Sequence, residues 1–185
     1  MTAPTIPGRI HLVGAGGIHM SAIAQLLLER GVQVSGSDLR PSPLTARLVE
    51  LGATIYEGHA ANHVGEAELV VTTAAAGDEN PEIAEARQRG IPVILRGEMV
   101  GRLIAGKRVI AIAGSAGKTT TSSLVAYMLR EAGLEPMYLL GGESIDLGGH
   151  AAWGGGEWCV VEADEYKRAF HEYTPEIAVI TNVEA

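Results

Sequence analysis

The chain has 185 residues, of which 46% are hydrophobic but only 4% aromatic, a balance that suits helices packed on a parallel sheet better than a β-sandwich. Its 14 basic and 22 acidic residues give a net charge of −8, which excludes a general nucleic-acid-binding or anionic-membrane surface. A single cysteine, Cys159, excludes a disulfide framework and is expected to be a buried apolar residue. With no apolar run near the ~20 residues of a membrane span and no signal peptide, we expect a cytoplasmic protein.

The first half of the chain alternates strand-like and helix-like segments, which predicts an α/β fold with parallel strands. An apolar strand in RIHLVGAGG ends in glycines, and apolar residues at helical spacing follow it. The later segments predict strands at VQVSGSD, ATIY, ELVVTTA and IPVIL, and helices at PSPLTARLVELG and from Pro81 to Arg89. We therefore expect a Rossmann-like domain over residues 1–106.

The first glycine loop, HLVGAGGIHMS, is similar to the dinucleotide-binding pattern G-x-G-x-x-G. Gly14 and Gly16 occupy the first two glycine positions, whereas His19 stands at the third and Gly17 is additional. NAD and the diphosphate of a UDP-sugar both fit this chemistry, and a purely structural tight turn is the alternative.

Three further positions are candidates for contacts with such a ligand. The N–H groups between Gly16 and Ile18 open the predicted helix, where a phosphate binds favourably. Asp38 follows the second strand, near the place of an acid that binds a ribose. His59, in YEGHAANHV, is a candidate ligand contact. Four other histidines show no ligand spacing and are predicted to be surface or hydrogen-bonded structural side chains: His11, His63, His150 and His171.

The second half starts a new strand–helix series after a boundary near Gly106. We expect a strand at RVIAIAG, a helix from Lys118 to Glu131, and strands near PMYLL, EWCVVEA and EIAVITN. A glycine-rich loop is predicted from Gly141 to Gly156. Because the series stops directly after a strand, residues 107–185 are expected to form an incomplete P-loop-type α/β domain, and the chain to be a fragment of a longer protein.

The second glycine loop, GSAGKTT, lies between the new strand and the new helix. The usual phosphate-loop spelling G-x-x-x-x-G-K-[ST] requires a glycine where this sequence has Ile112, but strand, glycine turn, Lys-Thr and helix form the context that such a loop needs. A helix start without a ligand is the alternative. Lys118 is predicted to reach terminal phosphates, and the Thr119 hydroxyl to bind Mg²⁺. The candidate ATP contacts are Gly114, Ser115, Ala116, Gly117, Lys118, Thr119 and Thr120.

The shorter form G-x-x-G-K-[ST] resembles the phosphate loop of the Mur ligases, the ATP-dependent amino-acid ligases of peptidoglycan synthesis. HLVGAGGIHMSAIAQLLLERGVQVSGSD, GHAANHV, TAAAGDENPEI, RGEMV and VVEADEYKRAFHEYTPEIAVITNVEA resemble successive blocks of the same family. Ser115 and Ala116 depart from the Thr and the larger polar residue that the family usually has there. The resemblance covers nearly the whole chain.

The resemblance implies ATP-driven amide formation on UDP-N-acetylmuramate through an acyl phosphate, with an amino acid or peptide as the other substrate. It implies ATP and Mg²⁺ as cofactors, Lys118 and Glu162 as catalytic residues, and Thr119 and Glu162 as metal ligands. Asp164 and Asn182 are expected to support them. The UDP-sugar contacts implied are Gly14, Gly16, Gly17, Ile18, Asp38 and His59.

Most blocks resemble the member that adds L-alanine, whereas Glu165-Tyr166-Lys167 is closer to the member that attaches recycled tripeptide. Two other classes stay open: a nicotinamide-dependent oxidoreductase, which leaves Lys118 and Glu162 unexplained, and a non-catalytic nucleotide-sugar-binding module. We expect the fragment to be inactive by itself. The sequence leaves the oligomeric state open.

Overall fold

The structure is a computed structural model that describes residues 5–163 and 173–183. Packing divides the chain into two compact units, one of residues Thr5–Met99 and one that begins at Val100. The division falls within a helix, α4 (Arg96–Ile104), which lies outside the predicted elements and a few residues before the boundary expected near Gly106.

The first unit contains the predicted alternation of strands and helices. Its elements are β1 (Arg9–Val13), α1 (Ile18–Glu29), β2 (Gln33–Asp38), α2 (Pro43–Glu50), β3 (Thr54–Glu57), a 3₁₀ turn (Ala61–Val64), β4 (Leu69–Thr72), α3 (Pro81–Gln88) and β5 (Val93–Leu95). The five strands form one parallel sheet in the order β3-β2-β1-β4-β5. The prediction of a Rossmann-like parallel sheet is confirmed.

The strand order places the first glycine loop at a favourable point for ligand binding. The chain moves outward from β1 through β2 to β3, and then returns to the other side of β1 for β4 and β5. In open α/β sheets, ligands bind beyond the carboxyl ends of the strands at such a reversal. The loop that follows Val13 lies at this edge.

Local sequence signals account for the helix starts in this unit. Ser42 caps α2 in a reciprocal capping box with Thr45. Asn80 caps α3, its side chain accepting from the N–H groups of Glu82 and Ile83. Helix α1 begins at the glycine loop without a side-chain cap. The N–H groups of its first turn therefore donate no hydrogen bond to a capping side chain, which leaves that end of the helix dipole suited to an anion.

The second unit contains a mixed sheet with the order β10-β6-β9-β7-β8. Its elements are β6 (Arg108–Ala113), α5 (Lys118–Glu131), β7 (Met137–Ser144), β8 (Gly149–Ala152), β9 (Trp158–Glu162) and β10 (Ile177–Ile180). All pairs are parallel except β7 with β8. Cys159 lies in β9 and is fully buried, as expected, and burial raises the pKa of its thiol to about 12.

The glycine-rich loop predicted from Gly141 to Gly156 is wrong. Strand β7 continues through Gly141 to Ser144 and turns into β8, which pairs with it as an antiparallel hairpin. Glycine weakens strand propensity, and the pattern therefore indicated a loop. Here the strand requires glycine, because a Cβ on Gly141 would lie 2.7 Å from Glu162 Oε2. No helix among the described residues has the length and apolarity needed to cross a bilayer.

Candidate functional site

The phosphate loop connects β6 to α5 at the carboxyl edge of the second sheet. Gly114 has φ +133° and Gly117, which precedes the first turn of α5, has φ +81°. Residues Ser115, Ala116 and Gly117 are exposed, and no side chain caps α5. An exposed loop at the uncapped start of a helix is the kind of surface that binds phosphates.

Lys118 lies at the start of α5 and folds back over the loop. Its ammonium group donates to the carbonyl oxygen of Gly114. This carbonyl belongs to the loop itself, so a phosphate bound there would lie within reach of the same ammonium group. The predicted contacts from Gly114 to Thr120 lie on the loop after β6 and on the first turn of α5.

Glu162 ends β9 directly beside the first turn of α5. Its side chain is buried, with 6% of the residue exposed. Thr119 donates its hydroxyl hydrogen to Glu162 Oε2 at 3.1 Å, the Gly141 N–H donates to Oε1 at 2.6 Å, and Ser122 Oγ lies 3.1 Å from Oε1. The structure thus brings together the two residues predicted to bind a metal.

The donor set of Thr119 and Glu162 fits Mg²⁺. Neighbouring ligands of an octahedral ion with bonds of 2.0–2.1 Å lie about 3 Å apart, close to the 3.1 Å between the two oxygens. Mg²⁺ commonly takes only one or two protein ligands and completes its shell with waters and phosphates. Within residues 5–163 and 173–183, no group of three or more His, Cys, Asp or Glu side chains could hold a metal, so a site built by protein ligands alone is not found there.

Thr181 and Asn182, which follow β10, also contact the phosphate loop. Asn182 accepts a hydrogen bond from the Ala116 N–H through Oδ1 at 3.1 Å, and Thr181 donates to the Ala116 carbonyl oxygen at 2.6 Å. A Cβ on Gly114 would lie 2.0 Å from Thr181 Oγ1, so the loop can approach β10 only with glycine at this position. Asn182 was among the predicted supporting residues, whereas Thr181 was not predicted. Asp164 and the Glu165-Tyr166-Lys167 segment lie outside the described residues.

A cavity of about 640 Å³ opens beside the phosphate loop. It is lined mainly by small and apolar residues from β6, β10 and the segments next to them. The lining residues are Ala111, Ala113, Gly114, Ser115, Ala163, Tyr173, Pro175, Ala178, Ile180, Asn182 and Val183. The cavity adjoins the phosphate loop at Gly114 and Ser115.

The first glycine loop is held mainly by hydrogen bonds to the end of β2. The N–H groups of Gly14 and Ala15 both donate to the Ser37 carbonyl oxygen, at 2.8 and 2.9 Å. The Gly16 N–H donates to Asp38 Oδ2 at 2.8 Å, and the Gly17 N–H to the Gly14 carbonyl oxygen at 3.2 Å. These four donors already have partners within the unit, so the start of α1, at Ile18, remains the candidate phosphate contact of this loop.

Asp38 therefore has a structural contact as well as its predicted ligand role. A Cβ on Gly16 would lie 2.8 Å from Asp38 Oδ2, which explains the glycine there. The second carboxylate oxygen of Asp38 accepts from the Arg40 N–H at 3.3 Å. Asp38 also lines a cavity of about 230 Å³ together with Arg40, Pro41, Thr45, Val49, Ile55, Tyr56 and Glu57.

His59 lies next to a buried carboxylate that the sequence analysis did not identify. Its Nδ1 is 2.9 Å from Glu82 Oε2, and His63 Nδ1 is 3.1 Å from Glu82 Oε1. Ser37 donates to Oε2 at 2.7 Å, and His11 Nε2 lies 3.6 Å from Oε1, beyond hydrogen-bond distance. Burial by itself would raise the pKa of Glu82, but His11, Ser37 and His59 together lower it to about 2.

Fold and loops together define the class: an α/β protein with a glycine loop at the carboxyl edge of each of two sheets. Residues 9–108 match the family model described as "Mur ligase family, catalytic domain", and residues 112–185 match "Mur ligase middle domain". The chain belongs to the Mur ligase family.

Known relatives agree with this assignment. The chain is 49% identical over 178 residues to a UDP-N-acetylmuramate–L-alanine ligase from Anaeromyxobacter sp. (strain Fw109-5), covering 96% of this chain and 39% of that protein. It is 51% identical over 175 residues to the ligase of the same name from Desulfatibacillum aliphaticivorans, covering 95% and 38%. The chain thus spans about two fifths of the length of these curated relatives.

Solved structures show the same fold. The UDP-N-acetylmuramate:L-alanyl-γ-D-glutamyl-meso-diaminopimelate ligase from Neisseria meningitides superposes with a TM-score of 0.89 at 31% identity, covering 96% of this chain and 61% of that one. The UDP-N-acetylmuramate–alanine ligase from Thermotoga maritima gives 0.87 at 36% identity, covering 94% and 41%.

Proposed function

We propose that this chain supplies the nucleotide-sugar unit and the ATP loop of a ligase that joins L-alanine to UDP-N-acetylmuramate. The observation that carries the proposal is the 3.1 Å contact between Thr119 and Glu162 beside the phosphate loop, in a chain of the Mur ligase family. Phosphoryl transfer depends mainly on positioning and on cationic charge, and this loop brings together an ammonium group and a fitting pair of Mg²⁺ ligands.

In the second unit, we assign ATP to the loop and Mg²⁺ to Thr119 and Glu162. The metal, when bound, would neutralise charge on the terminal phosphates. Lys118 would move from the Gly114 carbonyl to the γ-phosphate, where it stabilises the charge that develops as the substrate carboxylate is phosphorylated. The amine of the amino acid would then attack the acyl phosphate.

In the first unit, we assign the diphosphate to the first turn of α1 and the ribose to Asp38. Gly14, Gly16 and Gly17 form the turn that brings this helix end to the ligand, and the cavity beside Asp38 offers room for the nucleoside. His59, with 20% of its side chain exposed, would contact the ligand from the end of β3.

In the alternative reaction, a tripeptide instead of L-alanine is attached to the same nucleotide sugar. The Neisseria structure, whose name states that activity, superposes with a TM-score of 0.89. The relatives at 49% and 51% identity carry the alanine ligase name, and we therefore favour L-alanine. Rates with L-alanine and with the tripeptide, measured in the longer protein that contains this chain, decide between the two.

Binding to the chain itself tests the proposal without turnover. Calorimetric titration should show UDP-N-acetylmuramate and Mg·ATP each binding with one site per chain. UDP should bind more tightly than NAD, because the His at the third glycine position and the additional Gly17 depart from the dinucleotide pattern. Tighter binding of NAD than of either uridine ligand would contradict the proposal and favour an oxidoreductase.

A further inference from the structure

Glu82 is a buried acid in the first turn of α3 that the proposed ligand contacts do not include. Its side chain is 0% exposed. Oε2 accepts from the Ser37 hydroxyl at 2.7 Å and lies 2.9 Å from His59 Nδ1, while Oε1 lies 3.1 Å from His63 Nδ1. One carboxylate therefore contacts side chains from β2, the segment after β3 and the 3₁₀ turn.

The chemistry of a carboxylate determines the proton positions in this cluster. The pKa of Glu82 lies at about 2, so at neutral pH the group is ionised and its oxygens only accept hydrogen bonds. His59 Nδ1 also lies 3.0 Å from Ser37 Oγ. Because Ser37 donates its hydroxyl hydrogen to Glu82, the contacts of both Nδ1 atoms with the carboxylate are favourable only in the Nδ1–H form, which we assign to His59 and His63. In an uncharged His59 ring, Nε2 is left as an acceptor, and 20% of this side chain is exposed.

The same cluster is connected to the first glycine loop at two points. The carbonyl oxygen of Ser37, whose hydroxyl is held by Glu82, accepts the Gly14 and Ala15 N–H groups. The Gly58 N–H, immediately before His59, donates to the Asp38 carbonyl oxygen at 2.7 Å. Glu82 thus holds the residue beneath the loop and the histidine beside Asp38 at the same time.

We propose that Glu82 is a positioning residue of the nucleotide-sugar site: it fixes His59 in the Nδ1–H tautomer and Ser37 beneath the glycine loop, so that His59 presents Nε2 to a hydroxyl or N–H of the bound ligand. The inference rests on the proposed binding of a UDP-sugar to this unit. Glu82 need not touch the ligand, since it acts through the two side chains that it holds.

Glu82→Gln tests the role with little change in shape. A glutamine replaces one oxygen by an amide donor, so it cannot accept from Ser37, His59 and His63 together, and the hydrogen bonds that it keeps are no longer assisted by charge. We expect the variant to bind UDP-N-acetylmuramate about tenfold more weakly, the equivalent of one lost hydrogen bond. The matched control is Glu85→Gln on the same helix, whose carboxylate is partly exposed and lies 3.9 Å from Arg89. Its affinity should not change.

A spectroscopic readout separates positioning from a general loss of structure. Nitrogen-15 NMR of histidine-labelled protein at pH 8 should show His59 protonated at Nδ1 in the wild type and in Glu85→Gln, and a shift toward the Nε2–H form in Glu82→Gln. If Glu82→Gln does not fold, His59→Asn replaces it. Its amide group stays near the place of Nδ1 but has no atom at Nε2, so it should keep the melting temperature and lose about tenfold in affinity.

Three results would overturn the inference alone, and a fourth would refute the proposed function. A wild-type His59 protonated at Nε2 overturns the positioning role, as does a folded Glu82→Gln that binds within twofold of the wild type. Wild-type-like binding by His59→Asn overturns it as well. A wild-type chain that does not bind UDP-N-acetylmuramate refutes the proposed function itself, and the positioning role with it.

Discussion

Replacement of Glu162 by glutamine separates the metal-binding role of this residue from its structural role. The carboxylate accepts hydrogen bonds from the Thr119 hydroxyl and the Gly141 N–H. A glutamine can place its oxygen toward Gly141 and its amide nitrogen toward Thr119, whose hydroxyl can rotate and accept. The number of hydrogen bonds stays at two, but neither of them is assisted by charge any longer.

The magnitudes predict a small change in stability and a large change in metal binding. Hydrogen bonds to a charged group contribute about 1 kcal/mol more than neutral ones, so two bonds lose about 2 kcal/mol. The removal of a buried charge offsets part of this loss. Because loss of a residue that merely supports a metal ligand commonly costs 10–100-fold in metal affinity, loss of the carboxylate itself should weaken Mg·ATP binding at least tenfold.

The assay is calorimetric titration of ATP with Mg²⁺ and again with EDTA. Without the metal, Glu162→Gln should bind ATP as tightly as the wild type or more tightly, because an anionic group next to the phosphates is gone. The control is Glu131→Gln at the exposed end of α5, which should match the wild type under both conditions. A folded Glu162→Gln that binds Mg·ATP within threefold of the wild type would refute the assignment of this residue to the metal.

Three further predictions test other parts of the structure. In the longer protein, Lys118→Ala should lower kcat by ~10²–10³ and barely change the melting temperature, and a folded variant that keeps more than about a third of the rate would show that the lysine does not act on the phosphates. Gly114→Ala places a Cβ 2.0 Å from Thr181 Oγ1 and should abolish Mg·ATP binding. Gly133→Ala, also at positive φ but with nothing within 4 Å of its Cβ, should bind as the wild type does. Equal binding by the two variants would exclude a close approach of Gly114 to Thr181 that matters for binding. The folded-state pKa of Glu82 is about 2 rather than 4.5, so ionisation of this group stabilises the fold above about pH 4.5. As the pH falls towards 2, on the order of 3 kcal/mol of unfolding free energy is lost. Denaturation followed by circular dichroism should show this loss in the wild type and not in Glu82→Gln.

The elements around both glycine loops could be predicted because their signals are local. Apolar runs that end in glycine identified β1 and β6, and helical spacing identified α1 and α5. Proline at the first position of α3 identified its start. Helix α4 has apolar residues at Met99, Val100, Leu103 and Ile104, a helical spacing that the two glycines in RGEMVGRLI obscured.

The missed features depend on contacts between distant segments. The β7–β8 hairpin looked like a loop because its glycines are selected by packing against Glu162 rather than by strand propensity. Thr181 contacts the phosphate loop only because β10 pairs with β6, an order that no local pattern indicates. The partners of Glu82 come from separate segments of the first unit, and each polar residue looked ordinary in its own segment.

The proposed ligase activity is tested most directly by turnover in the longer protein that contains this chain. Release of phosphate from ATP should require Mg²⁺, UDP-N-acetylmuramate and L-alanine together, with formation of one amide product per phosphate. The chain alone, which spans about two fifths of its curated relatives, should bind the nucleotides without turnover. Phosphate release that does not depend on UDP-N-acetylmuramate, or an amide product formed by the longer protein without ATP, would contradict this account.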